Sequence, residues 1–307
     1  MANGKFGGHF CPGLYIFFYG LYQATVVSKA MIVNDSPIYL SYIPKNQKRC
    51  SKLWKISFGG WLKIVIGSLL TFYVVFCLDN EMVLINKEMP PRFMYPQEWQ
   101  HLTIFILLIL DGCVEVMSKN VLRQRWVVLE RGSTALAFYM LLLLLVSHVQ
   151  VSSKMELHVH SLLILVVFLL MLVLTAELWA CGSFCLQLIK NFLFLMMGTW
   201  LMQAGFILFR PVSGYPWEDD DISDIMFVTT FFCWHVMINA LCLVGVYGFS
   251  SLWHHYYSPS WGLGASKKAL YHESSSGPFY QLLQDAEQQD QDDQVLLPSK
   301  GSPCDRA

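Results

Sequence analysis

The chain has 307 residues, of which 55% are hydrophobic and 14% charged, and its formal net charge is −1. A soluble domain carries about 25% charged residues, so this composition, with a mean hydropathy of +0.44, excludes an ordinary soluble protein. The near-zero net charge says nothing useful about partners, because it averages over an uneven distribution along the chain.

A helix crossing ~30 Å of hydrocarbon needs about 20 mostly apolar residues. Seven stretches meet that requirement: Phe10–Val33, Phe58–Leu78, Trp99–Met117, Trp126–Ser147, His160–Ala180, Leu186–Phe209 and Ile225–Trp253. Helices are expected, because lipid offers the backbone no hydrogen-bond partners. The fold class is an all-α membrane protein, a seven-transmembrane-helix bundle. A short segment, residues 1–9, precedes a membrane domain of residues 10–253, and a tail of residues 254–307 follows it. No length remains for a further soluble domain. The first span reads as a retained anchor: it is long for a cleavable signal, Lys5 is its only leading basic residue, and no small-residue cleavage site follows.

Basic residues near span ends stay on the cytoplasmic side. Lys45, Lys48, Arg49, Lys52 and Lys55 follow the first span. Lys119, Arg123 and Arg125 follow the third, Lys190 lies just beyond the fifth, and Lys267 and Lys268 follow the seventh. The alternate loops are poor in base. The N-terminus is therefore expected outside or lumenal and the C-terminus cytosolic. Asn34-Asp35-Ser36, the only glycosylation sequon, then falls on the cytosolic side and is expected to be unused.

Ionisable residues inside a bilayer are costly and mark functional sites by default. Lys63, Glu130 and Arg131 lie near cytosolic span ends and are expected to snorkel. Asp111 and Glu115 are four apart in the third span and share a helix face. Glu177 lies near the cytosolic end of the fifth. His9, His101, His148, His158 and His160 fall at or near the outer ends of their spans, and His235 lies deeper in the seventh. Imidazole binds zinc and copper and titrates near the pH of acidic organelles. The candidate metal or proton site is therefore His9, His101, His148, His160 and His235 with Asp111, Glu115 and Glu177. Ordinary polar contacts between helices are the competing reading, and no His-Glu-x-x-His motif is present. The acidic loop Trp217-Glu218-Asp219-Asp220-Asp221, with Asp224, lacks the glycine and ligand spacing of a calcium loop.

Nine cysteines are scattered and show no disulfide framework. Cys181 and Cys185 sit at the cytosolic end of the fifth span, where S-palmitoylation is plausible. The tail is rich in Gln, Asp and Ser and is expected to be disordered, because it cannot bury enough apolar surface to fold alone. Tyr280-Gln281-Leu282-Leu283 has the pattern of a tyrosine-based sorting signal. Asp292-Asp293-Gln294-Val295-Leu296-Leu297 has that of an acidic dileucine signal. Each is an extended peptide whose Tyr280, Leu283, Leu296 or Leu297 side chain would fill a pocket on a clathrin adaptor. The lipid bilayer is the other expected partner, and no nucleic acid is expected.

No phosphate-binding lysine loop, nucleophile elbow or dinucleotide glycine fingerprint occurs. The third span ends Glu115-Val116-Met117-Ser118-Lys119 without an acidic-arginine pair, and the seventh lacks Asn-Pro-x-x-Tyr, which argues against a rhodopsin-like receptor.

Several strings carry a family likeness. They are Gly8-His9-Phe10-Cys11-Pro12-Gly13 entering the first span, Trp99-Gln100-His101 opening the third and His160-Ser161-Leu162-Leu163 opening the fifth. Gly198-Thr199-Trp200-Leu201-Met202-Gln203-Ala204-Gly205-Phe206 lies in the sixth span and Phe232-Cys233-Trp234-His235 in the seventh. From Gly8 to Trp253 the chain resembles the transmembrane protein 45 family, including its transmembrane epididymal branch. The resemblance implies a multi-pass membrane protein of largely undefined biochemical role. It covers His9, His101, His148, His160, Glu177 and His235, and Glu115 stands where relatives often carry Asp. Two departures stand out: His148-Val149-Gln150 replaces a His-x-His pair, and Leu141 replaces a glutamate. If the family has a metal or hydrolytic site, the departures point to a weakened one here.

Three readings follow. The first is a non-enzymatic membrane protein sorted by its tail to the plasma membrane or to endosomal, lysosomal or Golgi membranes. The second is a metal-dependent hydrolase acting on lipid, and the third a proton- or metal-coupled transporter. Zinc or copper is the implied cofactor in the last two.

Overall fold

The computed structural model describes residues 2–34, 57–77, 83–85, 89–121, 126–149, 153–180, 182–212, 214–218 and 221–257. The chain divides into two units, Met1–Ser251 and Leu252–Ala307; of the second, the described part is the end of the last helix. The two sorting patterns and Cys181 lie outside the described residues.

The described residues form seven α-helices: α1 (Ala2–Asn34), α2 (Phe58–Phe72), α3 (Pro96–Val116), α4 (Val127–His148), α5 (Lys154–Trp179), α6 (Phe184–Phe209) and α7 (Ile222–Tyr257). Two π-helical segments extend them, Tyr73–Cys77 after α2 and Met117–Val121 after α3. Seven helical stretches are long and apolar enough to cross a membrane. Each coincides with one apolar stretch of the sequence, but α1, α5 and α7 run further than hydropathy indicates. A helix does not end where lipid does: nothing in Ala2–His9 or Trp253–Tyr257 breaks the backbone ladder, and neither segment holds a proline.

Local chemistry sets the starts. Ser57, Ser153 and Ser183 are N-caps whose hydroxyls accept from the backbone N–H of Gly60, Glu156 and Leu186, which satisfies donors a helix N-terminus leaves open. Pro96 occupies the first position of α3, where its missing N–H costs nothing.

The helices run alternately up and down. α1 lies along α6, α6 along α5, α5 along α4, α4 along α3 and α3 along α2. The main core joins α4, α5, α6 and α7 around the fully buried Trp200, Leu170, Val159 and Val167. Trp200 Nε1 donates to the Val159 carbonyl at 3.0 Å, so its one polar group is satisfied inside the bundle. Outward faces carry large apolar side chains, such as Phe72 and Phe76 near α2 and Ile238, Leu241 and Val244 on α7. That arrangement matches surfaces that face hydrocarbon.

Alternate direction gives the bundle two ends. One gathers the start of α1, α3 and α5 with the finish of α2, α4 and α6. The other gathers the opposite termini.

Candidate functional site

At the first end, four helices each bring one imidazole to a common level. His9 comes from α1, whose approach to α6 needs glycine. A Cβ on Gly198 would lie 2.5 Å from the Phe17 nitrogen, and one on Gly13 would lie 2.9 Å from the Gly198 carbonyl. His9 is one turn before Gly13, on the same face, and its ring packs on Phe209 at 5.2 Å. His101 lies in the second turn of α3, and His148 is the last residue of α4. The Ser153 cap starts α5 such that Glu156 falls in its first turn, with His160 one turn on.

The rings close a cycle. Centroids are 6.3 Å apart for His9–His101, 5.8 Å for His101–His148, 5.3 Å for His148–His160 and 5.7 Å for His160–His9. His9 and His160 are buried. Oxygen acceptors hold three of the rings. His160 Nδ1 lies 2.8 Å from the Glu156 carbonyl, and His148 Nδ1 lies 3.0 Å from Gln100 Oε1. A carbonyl oxygen only accepts, so each Nδ1 carries the proton and donates, leaving Nε2 with its lone pair. His101 bonds the Gln97 backbone in a similar way. Gln100 is itself held, since its amide donates to Ser147 Oγ at 3.3 Å. Metal-binding histidines are typically oriented in this manner.

His148, Glu156 and His160 each offer a ligand atom, all within 4.8 Å of one another. Donors around a tetrahedral zinc at about 2.0–2.2 Å lie roughly 3.4 Å apart, so small side-chain rotations would close the set. Beside it is a cavity of about 230 Å³. His9, His101, His148, Glu98, Glu156, Gln97 and Ser153 form its polar wall, and Leu70, Val74, Phe105, Leu208 and Phe209 its apolar one.

The opposite end is chemically different. Lys63 Nζ lies 2.7 Å from Asp111 Oδ2 and 3.0 Å from Glu115 Oε2. Asp111 also accepts from Ser133 Oγ at 2.7 Å and Thr134 Oγ1 at 3.0 Å. Glu115 accepts from Lys119 at 2.5 Å and from Ser57 Oγ at 3.1 Å. A second group surrounds Glu177: Lys190 Nζ at 2.8 and 2.9 Å, Arg131 at 3.8 Å and the Gln187 amide. Lys63 therefore does not snorkel; it is 6% exposed and belongs to the interior. Arg131 also turns inward, donating to the Glu177 carbonyl at 3.2 Å. Close backbone contact makes this possible, since a Cβ on Gly112 would meet the Gly60 carbonyl at 2.7 Å.

The sequence-read candidates thus fall in three places. His9, His101, His148 and His160 come together. Asp111 and Glu115 join Lys63, and Glu177 joins Lys190 at the same far end. His235 stands apart from the cycle, with its ring edge-on to Trp200 at 5.7 Å. His158 bonds Thr229 Oγ1 at 2.8 Å. Cys185 is exposed in the first turn of α6. In the acidic loop, Asp224 and Asp221 accept from the Glu218 and Ser223 backbone N–H groups at the start of α7. Sequence reading missed Glu156, although Glu156-x-x-x-His160 places both on one helix face. It also missed Gln100, whose role depends on the height of His148 on another helix.

Seven helices long and apolar enough to cross a membrane define a multi-pass integral membrane protein. The chain belongs to the transmembrane epididymal protein 1 family. It is 68% identical to transmembrane epididymal protein 1A of Mus musculus over 304 residues, covering 99% of this chain and all of that one. It is 66% identical to transmembrane epididymal protein 1 of Rattus norvegicus over 304 residues, again 99% of this chain and all of the relative. Identity to the Homo sapiens protein of that name is 65% over 273 residues, 89% of this chain and all of that one. A model described as a family of unknown function (DUF716) matches residues 128–248. That segment holds His148, Glu156 and His160, but neither His9 nor His101.

Proposed function

We propose that this protein binds a transition metal ion, zinc in the first instance, within the membrane at the histidine end of its bundle. The observation that carries the reading is the convergence of His148, Glu156 and His160, with their ligand atoms within 4.8 Å of one another. Nitrogen and carboxylate donors without thiolate suit zinc better than monovalent copper. His101 and His9 stand beside the triplet as further ligands or proton acceptors, and the cavity gives the ion a position open to an incoming group. By the distribution of basic residues, this end faces the outside or the lumen.

Metal analysis of detergent-purified full-length protein tests the reading. One zinc per chain is expected, with loss in His148→Ala, Glu156→Gln and His160→Ala and retention in His158→Ala. Protein equilibrated with zinc that retains none above background would sink it.

Sorting by the tail is a separate reading, supported by the two adaptor-type patterns. Replacing Tyr280, Leu296 and Leu297 by alanine is expected to move the protein to the cell surface. An unchanged distribution would remove that reading.

A further inference from the structure

The cavity at the histidine end has two kinds of wall. His148 and Glu156, two of the three convergent donors, line it, so an ion held by the triplet faces its interior. Leu70, Val74, Phe105, Leu208 and Phe209 make the rest of the lining largely apolar. A concave site with a broad apolar wall and a few convergent polar groups suits an amphiphile.

Size limits that ligand. The volume of about 230 Å³ equals roughly eight waters at ~30 Å³ each, which is room for a carboxylate and the first few carbons of one chain. A phosphate headgroup with two chains does not fit. Depth points the same way. The six helices that line the cavity reach it with the ends of their spans, at Phe6, Phe76, Pro96, His148, Lys154 and Phe209. The cavity therefore lies where hydrocarbon gives way to headgroups, the level at which a membrane-dissolved fatty acid holds its carboxylate.

One side gives access from lipid. α1 lies along α6 and α2 along α3, but among the described residues no such close seam joins α1 to α2. These two helices meet through side chains, with Tyr73 over Gly7 and Tyr22 against Phe58 at 6.1 Å. Gly8 lines the cavity from α1, and a Cβ there would meet nothing within 4 Å. From the α2 side, Tyr73 and Val74 line it on the π-helical turn Tyr73–Cys77, a form that recurs at functional sites. Leu69, Phe72 and Phe76, on the outward side of the same segment, are exposed apolar residues.

We infer that the cavity binds one fatty acid, its carboxylate towards the metal position and its chain leaving between α1 and α2. The inference rests on the metal-site reading above and names the group that completes the ion's coordination. Zinc takes carboxylate oxygen beside imidazole nitrogen at about 2.0–2.2 Å, and the apolar wall removes the first methylenes from water.

Zinc-loaded, detergent-purified full-length protein, exposed to palmitate with a photoactivatable diazirine near its carboxyl end, tests this. Peptide mass spectrometry is expected to place the label on Leu70, Val74, Leu208 and Phe209. Gly8→Phe fills the cavity from a position with free space, and is expected to keep one zinc per chain while losing at least tenfold in labelling. Gly8→Ala adds one methyl and is expected to keep most of the labelling, which guards against a folding defect. Gly132→Phe, on α4 and not part of the cavity wall, is expected to change neither zinc nor label. Label confined to outward residues such as Leu69 and Phe76, labelling unchanged in Gly8→Phe, or equal labelling by the methyl ester of the probe would overturn the fatty-acid inference and leave the metal site standing. No bound zinc in the wild type would instead defeat the metal-site reading on which it rests.

Discussion

The two ends of the bundle manage polarity in opposite ways. At the charged end, Asp111, Glu115 and Glu177 each meet at least one lysine, and hydroxyl or amide donors take up further lone pairs. At the histidine end, four imidazoles form a cycle, three of them lining a cavity, with His148 and His160 held through Nδ1 by oxygen acceptors. The first arrangement completes itself from within the chain. The second places neutral nitrogen-bearing rings beside a cavity instead of pairing charges.

The comparison can be broken most forcefully at the ligands. Replacing both His148 and His160 by alanine should abolish zinc binding while leaving the helices intact, read by metal analysis beside circular dichroism. Next in size is Lys63→Ala, which takes the only lysine from the buried Asp111 and leaves Glu115 with Lys119 alone among the described residues. Removing one partner of a buried pair costs about 3–5 kcal/mol, so detergent-solubilised protein should unfold at a clearly lower temperature, with zinc stoichiometry unchanged in whatever remains folded. The double change Lys63→Met with Asp111→Leu removes both members and should recover much of that loss; failure to recover would mean that the charges do more than satisfy one another.

Smaller effects sharpen the contrast. Gln100→Leu deletes the acceptor that holds His148 and should weaken zinc binding about 10–100-fold, the usual effect of losing a supporting group. Zinc affinity of the wild type should fall on acidification, because protonation removes the imidazole lone pair that binds metal. Smallest is Ser153→Ala. It removes the cap of α5 at a cost of about 1 kcal/mol and loosens Glu156, so zinc affinity should fall only a few-fold.

Much of the architecture was legible because lipid imposes it. The stretch His160–Ala180 is long and apolar enough to span a bilayer, and seven such stretches match seven helices among the described residues. The shared level of His9, His101, His148 and His160 was also readable, since each lies near a span end and successive spans alternate in direction. Which way each ring faces was not. Helix rotation is set by contacts such as Gly13 against Gly198 and Gly60 against Gly112, and these depend on which helices are neighbours. Lys63 shows the same limit. Position alone assigned it to the interface, whereas two carboxylates on α3 draw it inwards. His235 lies at a plausible depth, but its helix turns the ring towards Trp200.

The close seam between α1 and α6 has a consequence for biogenesis. The first helix to enter the membrane has its principal partner in the sixth. At the ~5–20 residues per second of synthesis, α1 waits roughly ten to thirty seconds before that partner is complete. Until then its glycine face, and His9 with it, lies against lipid or the insertion machinery. The imidazole cycle cannot close earlier, because His9 reaches its place beside His101 and His160 only when α1 docks on α6.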